Sequence, residues 1–171
     1  MSLPDLTADG VLPLGAHEAT WDEIEEAFVT GAPFWEARAL IFDALRVYAR
    51  LIWARFPDAV LWVDGGFVTH KSWAAPHDVD VAVVVPNAVG YDPAAEPDGP
   101  SLWTLLDVSA ARPSVTSHEK VQPMGGLVDG FFVQAENGPL VSFWHGWWQR
   151  RRQESGPDLI DAKGFLEVRN A

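Results

Sequence analysis

Two aspartates two positions apart, Asp78 and Asp80, open the apolar run of Pro76-His-Asp-Val-Asp-Val-Ala-Val-Val-Val85. Upstream, another apolar run breaks at a glycine pair in Leu61-Trp-Val-Asp-Gly-Gly-Phe-Val-Thr-His-Lys71, and a third acid, Asp129, lies in Gly126-Leu-Val-Asp-Gly-Phe-Phe-Val-Gln134. Carboxylates two apart on a strand point to the same face and can share hard cations. Gly65 and Gly66 supply a turn that lets the main chain approach phosphate oxygens. Phosphoryl or nucleotidyl transfer needs divalent ions to neutralise phosphate charge and to lower the pKa of an attacking hydroxyl. Mg²⁺ takes one or two carboxylates and completes its shell with phosphate oxygens and water, so three acids can serve two ions, with Mn²⁺ as the alternative metal.

The elements that must position these groups are legible from periodicity. Residues 1–19, with Pro4, Gly10, Pro13 and Gly15, suit an extended arm. Thr20-Trp-Asp-Glu23 predicts a capping box opening a short acidic helix that ends near Thr30-Gly31. From Phe34 to about Phe56, Phe42, Leu45, Ala49, Ile52 and Phe56 recur at helical spacing, which predicts a long helix covering a sheet. Ala59 to Val63 reads as a first strand. Asp78 to Val85 reads as a second, buried on both faces. Residues 86–100 suit a loop or lid, and Ser101 is placed to cap a short helix. Val115 is a candidate strand start, Gly126 to Gln134 a firmer strand, Pro139 to about Glu154 a helix with Phe143, Trp144, Trp147 and Trp148 on its apolar side, and residues 164–168 a final edge strand.

Composition limits what such a site can serve. The chain has 171 residues, 48% hydrophobic, enough for one domain with a real core. The formal net charge is −12, which argues against generic duplex DNA binding but not against a nucleotide carried with its ions. Residues 150–171 hold five basic and four acidic residues, so a local anion site near that end fits the pattern. Without cysteine, disulfides, thiolate metal sites and cysteine nucleophiles are excluded. No apolar run reaches membrane-spanning length and no basic segment precedes an apolar one near the N-terminus, so the expectation is a soluble, cytoplasmic protein without a membrane partner. The nine tryptophans serve either a core or an aromatic contact surface.

Each candidate also has a plainer reading. Asp78 and Asp80 suit turn and strand-entry positions after Pro76, Asp129-Gly130 suits a hairpin turn, and Asp64 suits a strand end as well as a ligand position. Lys71 can neutralise a phosphate or simply be solvated. Arg150, Arg151 and Arg152 can complement a helix dipole; if the last helix folds back over the sheet, Arg151 and Lys163 come within reach of a triphosphate. The histidines lack metal-ligand spacing, and no nucleophile elbow supports a hydrolase triad.

Taken together, these motifs resemble the nucleotidyltransferase superfamily, the fold of DNA polymerase beta and of the minimal bacterial nucleotidyltransferases. Its signature is a strand ending in Gly-Ser, a loop, an Asp-x-Asp strand and a third Asp on a neighbouring strand. Gly65 and Gly66 stand at the Gly-Ser position, Asp78 and Asp80 at the paired acids, and Asp129 at the third. Further segments, Leu12-Pro-Leu-Gly-Ala-His-Glu-Ala-Thr, Phe67-Val-Thr-His-Lys71, Trp147 to Arg151 and Lys163-Gly-Phe-Leu-Glu-Val, resemble a small bacterial and phage family with this core. The resemblance implies an α/β (α+β) domain over residues 1–171, a small mixed twisted sheet with helices packed mainly on one face. It implies a Mg²⁺-dependent transfer of a nucleoside monophosphate from a nucleoside triphosphate, such as ATP, to a hydroxyl of a protein, RNA or small molecule. Asp78, Asp80 and Asp129 would hold metal, and Gly65, Gly66, Thr69, Lys71, Arg151 and Lys163 would face the nucleotide. Gly66 replaces the Ser that touches a terminal phosphate in the superfamily, a loss that Thr69 and Lys71 are placed to offset. That substitution keeps a second reading open, a binding module of antitoxin-like, defence-related or phage accessory type. A metal-dependent nuclease is the weaker third reading, because the surface is acidic.

Overall fold

The structure, a computed structural model, describes residues 2–106 and 120–170. In chain order its elements are β1 (Ala16–Glu18), α1 (Trp21–Glu25), a π-helical turn (Glu26–Thr30), α2 (Trp35–Arg55), β2 (Val60–Asp64), a 3₁₀ turn (Gly65–Val68), β3 (Val79–Val85), α3 (Gly99–Leu102), β4 (Leu105–Leu106), β5 (Lys120–Val121), a second 3₁₀ turn (Met124–Gly126), β6 (Val128–Gln134), α4 (Gly138–Trp147) and β7 (Phe165–Arg169). Five strands form a mixed sheet in the order β1-β7-β2-β3-β6, and β4 pairs with β5 apart from it. The β2–β3 and β2–β7 pairs are antiparallel, β1–β7 and β3–β6 parallel.

Alternation along the strands assigns the two faces. Leu61, Val63, Val81, Val83, Val128, Leu166 and Val168 point to one side, against Ile41, Leu45, Tyr48 and Ile52 of α2. The stripe predicted for the long helix is therefore the one it buries. Trp62, Ala82, Val133 and Phe165 point the other way, against Trp148, with Leu140, Val141 and Trp144 of α4 packed around them. Each buried Val, Leu, Ile or Phe contributes about 1.5–3 kcal/mol, against about 0–1 kcal/mol for an exposed ion pair, so these two apolar layers carry the fold. The sheet is thus covered on both faces, most extensively by α2.

Local signals fix several ends. Thr20 caps α1 as a capping box, its backbone N–H donating to Glu23 Oε2 at 2.8 Å while Glu23 N–H donates to Thr20 Oγ1 at 3.3 Å. Asn137 caps α4 by accepting from Leu140 N–H at 3.1 Å. The other expectations shift in three places. The terminal strand β7 is internal, because Ala16–Glu18 of the N-terminal arm adds a parallel strand outside it; three residues are too few to show alternation. The helix expected from Ser101 instead starts at Gly99, with Pro100 in its first turn, and ends at Leu102, a position proline favours. The last helix stops at Trp147 rather than near Glu154, since the Trp148 indole turns into the sheet to donate to Trp62 O at 3.0 Å. Arg151 then pairs with Leu159 through two 2.9 Å backbone bonds. The candidate strand at Val115 lies outside the described residues. Among the described residues no helix is long and apolar enough to cross a membrane.

Candidate functional site

On the α4 face the rows of side chains change character toward one end of the sheet. Trp62 is opposite Ala82 and Ala82 opposite Phe131; in the next row Asp64 is opposite Asp80 and Asp80 opposite Asp129. Neighbouring strands are about 4.8 Å apart, so three carboxylates share one face of three adjacent strands. Asp78 lies one residue before β3 and lines the same cleft as Asp80. Asp129 and Gly130 both lie inside β6, not in a hairpin turn.

The carboxylates have different surroundings. Asp64 is 5% exposed and accepts from Lys163 Nζ at 2.6 Å, while Lys163, 3% exposed, also donates to Gly65 O at 3.2 Å. Burial pushes the Asp64 carboxyl up to about 7 against the pull of the Lys163 ammonium, with Asp80 adding to the rise. Asp129 accepts from Thr104 Oγ1 at 2.5 Å, and that hydroxyl oxygen in turn accepts from Gly130 N–H at 3.0 Å. Asp78 accepts from Gln122 Nε2 at 3.2 Å. Asp80 packs on the glycine turn: a Cβ at residue 65 would stand 1.9 Å from Asp80 Oδ2, and Gly65 has φ +80°. Both the left-handed backbone and the close approach require glycine there.

The glycine turn is held from beneath by a residue the sequence reading passed over. Arg38 of α2 is fully buried and donates to Phe67 O and Thr69 O at 2.6 Å each, to Phe28 O at 3.1 Å and, through Nε, to Pro33 O at 2.6 Å. Desolvation lowers its pKa to about 10. Its signal was present, because Arg38 falls four residues before Phe42 and seven before Leu45, on the buried stripe. Thr69 closes the turn, its hydroxyl donating to Gly66 O at 2.9 Å.

Lys71 brings its ammonium to within 3.0 Å of where a Cβ on Gly66 would stand, and it lies 4.8 Å from the Trp73 ring centroid. The Lys71 pKa is lowered, first by desolvation, then by Arg152, Arg38 and Lys163, with Asp78 acting in the opposite sense. A cation therefore stands where a side chain at residue 66 would project. Arg151 instead pairs with Asp9 of the N-terminal arm at 3.0 Å, and Lys163 pairs with Asp64, so both neutralise carboxylates of the protein itself.

These groups line one cleft of about 1260 Å³. Its floor is the carboxylate row and the glycine turn, and its walls are the N-terminal arm, the end of α4 and Arg150 to Arg152. Among the described residues no three His, Asp or Glu side chains form a group that could hold a metal ion. The donor set still suits a hard cation shared with a ligand. Its donors are oxygens, and Mg²⁺ bound with phosphates draws one or two carboxylates from the protein, a number Asp80 and Asp129 supply from adjacent strands. Thr104, Gln122 and the Asp64–Lys163 pair were not foreseen, since their sequence separations give no local pattern.

The fold and cleft define an α/β domain with a carboxylate row at the open end of one sheet face. The chain belongs to the family described as a family of unknown function, DUF6932, whose model matches residues 4–169. No curated protein and no solved structure matches it.

Proposed function

We propose that this cleft binds a nucleoside triphosphate with Mg²⁺ and transfers its nucleoside monophosphate to an acceptor hydroxyl. The observation that carries the reading is the register of Asp80 with Asp129 beside Gly65, which aligns two carboxylates against the glycine turn. Asp80 and Asp129 are the residues that would hold the metal, with Asp78 just before β3 in the same cleft; when bound, the metal would neutralise phosphate charge and acidify the attacking hydroxyl. Backbone amides of the glycine turn cradle phosphate oxygens, and Lys71 supplies a positive charge beside Gly66 where the superfamily has a serine hydroxyl. Asp129 stands on the acceptor side and helps remove the hydroxyl proton. The new oxygen–phosphorus bond forms as the bond to the β-phosphate breaks, and pyrophosphate leaves.

Calorimetric titration of ATP, GTP, CTP and UTP, with and without Mg²⁺, tests the binding. The expected result is Mg²⁺-dependent binding that Asp80→Ala abolishes. Failure of every nucleotide to bind the wild type, or Mg²⁺-dependent binding that survives Asp80→Ala, overturns the proposal. A second reading, nucleotide binding without transfer, draws on the missing hydroxyl at Gly66. It predicts the same titration with no pyrophosphate release in the presence of protein, RNA or small-molecule hydroxyls.

A further inference from the structure

The end of α4 carries an exposed aromatic stack that the carboxylate row does not account for. Phe143 and Trp147, one helical turn apart, stack with centroids 5.7 Å apart at 23°, and the Arg150 guanidinium lies 4.3 Å from the Trp147 ring centroid. Phe143 is 53% and Trp147 46% exposed, whereas Trp144 of the same helix is partly buried and Trp148, just past its end, is buried against the sheet. All three line the cleft. The stack continues inward: Phe143 meets Trp144 at 5.7 Å, and Trp144 packs on Phe131 at 4.7 Å. Phe131 follows Asp129 by two residues on the same face of β6, about 7 Å along the strand. A continuous aromatic path therefore runs from the carboxylate row to the guanidinium at the cleft rim.

Bases stack on aromatic rings and on arginine planes, and such layers are tolerant of base identity. Resting on the reading of the carboxylate row as the phosphate end, we infer that Phe143, Trp147 and Arg150 form the platform on which the nucleobase of the bound nucleoside triphosphate stacks. The phosphates then lie toward Asp80 and the base toward the end of α4. Trp73, 41% exposed and covered by Lys71 on the other rim, is the comparison residue, because its cation belongs to the glycine turn.

The test compares nucleoside triphosphates with inorganic tripolyphosphate, which carries the phosphates without a base. Affinities are measured calorimetrically in Mg²⁺ on the full chain for wild type, Trp147→Ala, Trp147→Phe and Trp73→Ala. Trp147→Ala is expected to weaken nucleotide binding about 5- to 100-fold and to leave tripolyphosphate binding unchanged, while Trp147→Phe, which keeps a ring, restores most of the difference. Substitution of this exposed residue is expected to leave the fold intact, as unchanged thermal unfolding would report. Equal losses for both ligands, no loss for either, or a base-dependent loss that follows Trp73→Ala instead overturns the platform. Wild type binding tripolyphosphate as tightly as nucleotides overturns the platform alone and leaves the carboxylate reading standing. Wild type binding neither overturns both.

Discussion

The two faces of the sheet are built from the same strands and end differently. On the α2 face the apolar rows run the full length of β2 and β3, so Val63, Val81 and Val79 are all fully buried. On the α4 face the apolar rows stop at Trp62, Ala82 and Phe131, and the next row is Asp64, Asp80 and Asp129. The difference follows from the length of the covering helices. With twenty-one residues, α2 spans the sheet, whereas α4 has ten and leaves one end of its face to the cleft. A row that no helix covers can hold charge, and one that is covered cannot without a partner. The buried members of this row are each matched, Asp64 by the Lys163 ammonium and Asp129 by the Thr104 hydroxyl.

The comparison is broken most severely by removing the first of these matches. Lys163→Met leaves a buried carboxylate without its cation and is expected to cost about 3–5 kcal/mol at pH 8, measured by urea unfolding. Because the Asp64 carboxyl already has a raised pKa of about 7 in the fold, the cost should shrink at pH 5, where the group takes up a proton. A cost that is the same at both pH values would show that Asp64 is not the group left unpaired.

On the covered face, Leu45→Ala opens a cavity under the sheet and is expected to cost about 2–5 kcal/mol with no pH dependence of its own. Gly65→Ala comes next, at about 1–3 kcal/mol from the positive φ and the overlap with Asp80. It should also disrupt nucleotide binding, since the carboxylate and the turn cannot both keep their places. Retained stability together with retained binding would show that the turn adapts.

The pH dependence carried by Asp64 itself is spread over several pH units and has a definite sign. Its folded pKa lies above the unfolded value of 3.8, so the folded state holds the extra proton. The stability this contributes is complete below about pH 4 and is lost as pH rises through about 7, with a slope of at most about 1.4 kcal/mol per pH unit. Subtracting the profile of Asp64→Asn from that of the wild type isolates it, and a difference that rises with pH would overturn the assignment. Smallest in stability is Asp80→Asn. It removes a charge that disfavours ionisation of Asp64 and is expected to change stability by less than about 1 kcal/mol while abolishing Mg²⁺-dependent nucleotide binding.

Much of the fold was legible because it rests on local periodicity. The stripe of α2, the capping box at Thr20 and the apolar run of β3 each lie within one segment, and each appears where it was expected. Boundaries were less legible where a distant contact sets them. The bond from Trp148 to Trp62 ends α4, and pairing with residues 16–18 moves β7 inside the sheet. For the site, the sequence singled out Asp78, Asp80, Asp129 and the glycine pair, and tertiary structure brings these to one cleft. It also redirects two predicted cations, Arg151 to Asp9 and Lys163 to Asp64.

By itself the sequence determined which residues alternate, which turn needs glycine and which acids stand at strand ends, because those properties depend on the backbone period and on residues close in the chain. Only the tertiary structure decided that Asp64, Asp80 and Asp129 share a row, that Arg38 holds the glycine turn from beneath, and that Lys71 fills the space beside Gly66. Register between strands and the reach of long side chains are set by packing over the whole sheet, and no local spacing encodes them.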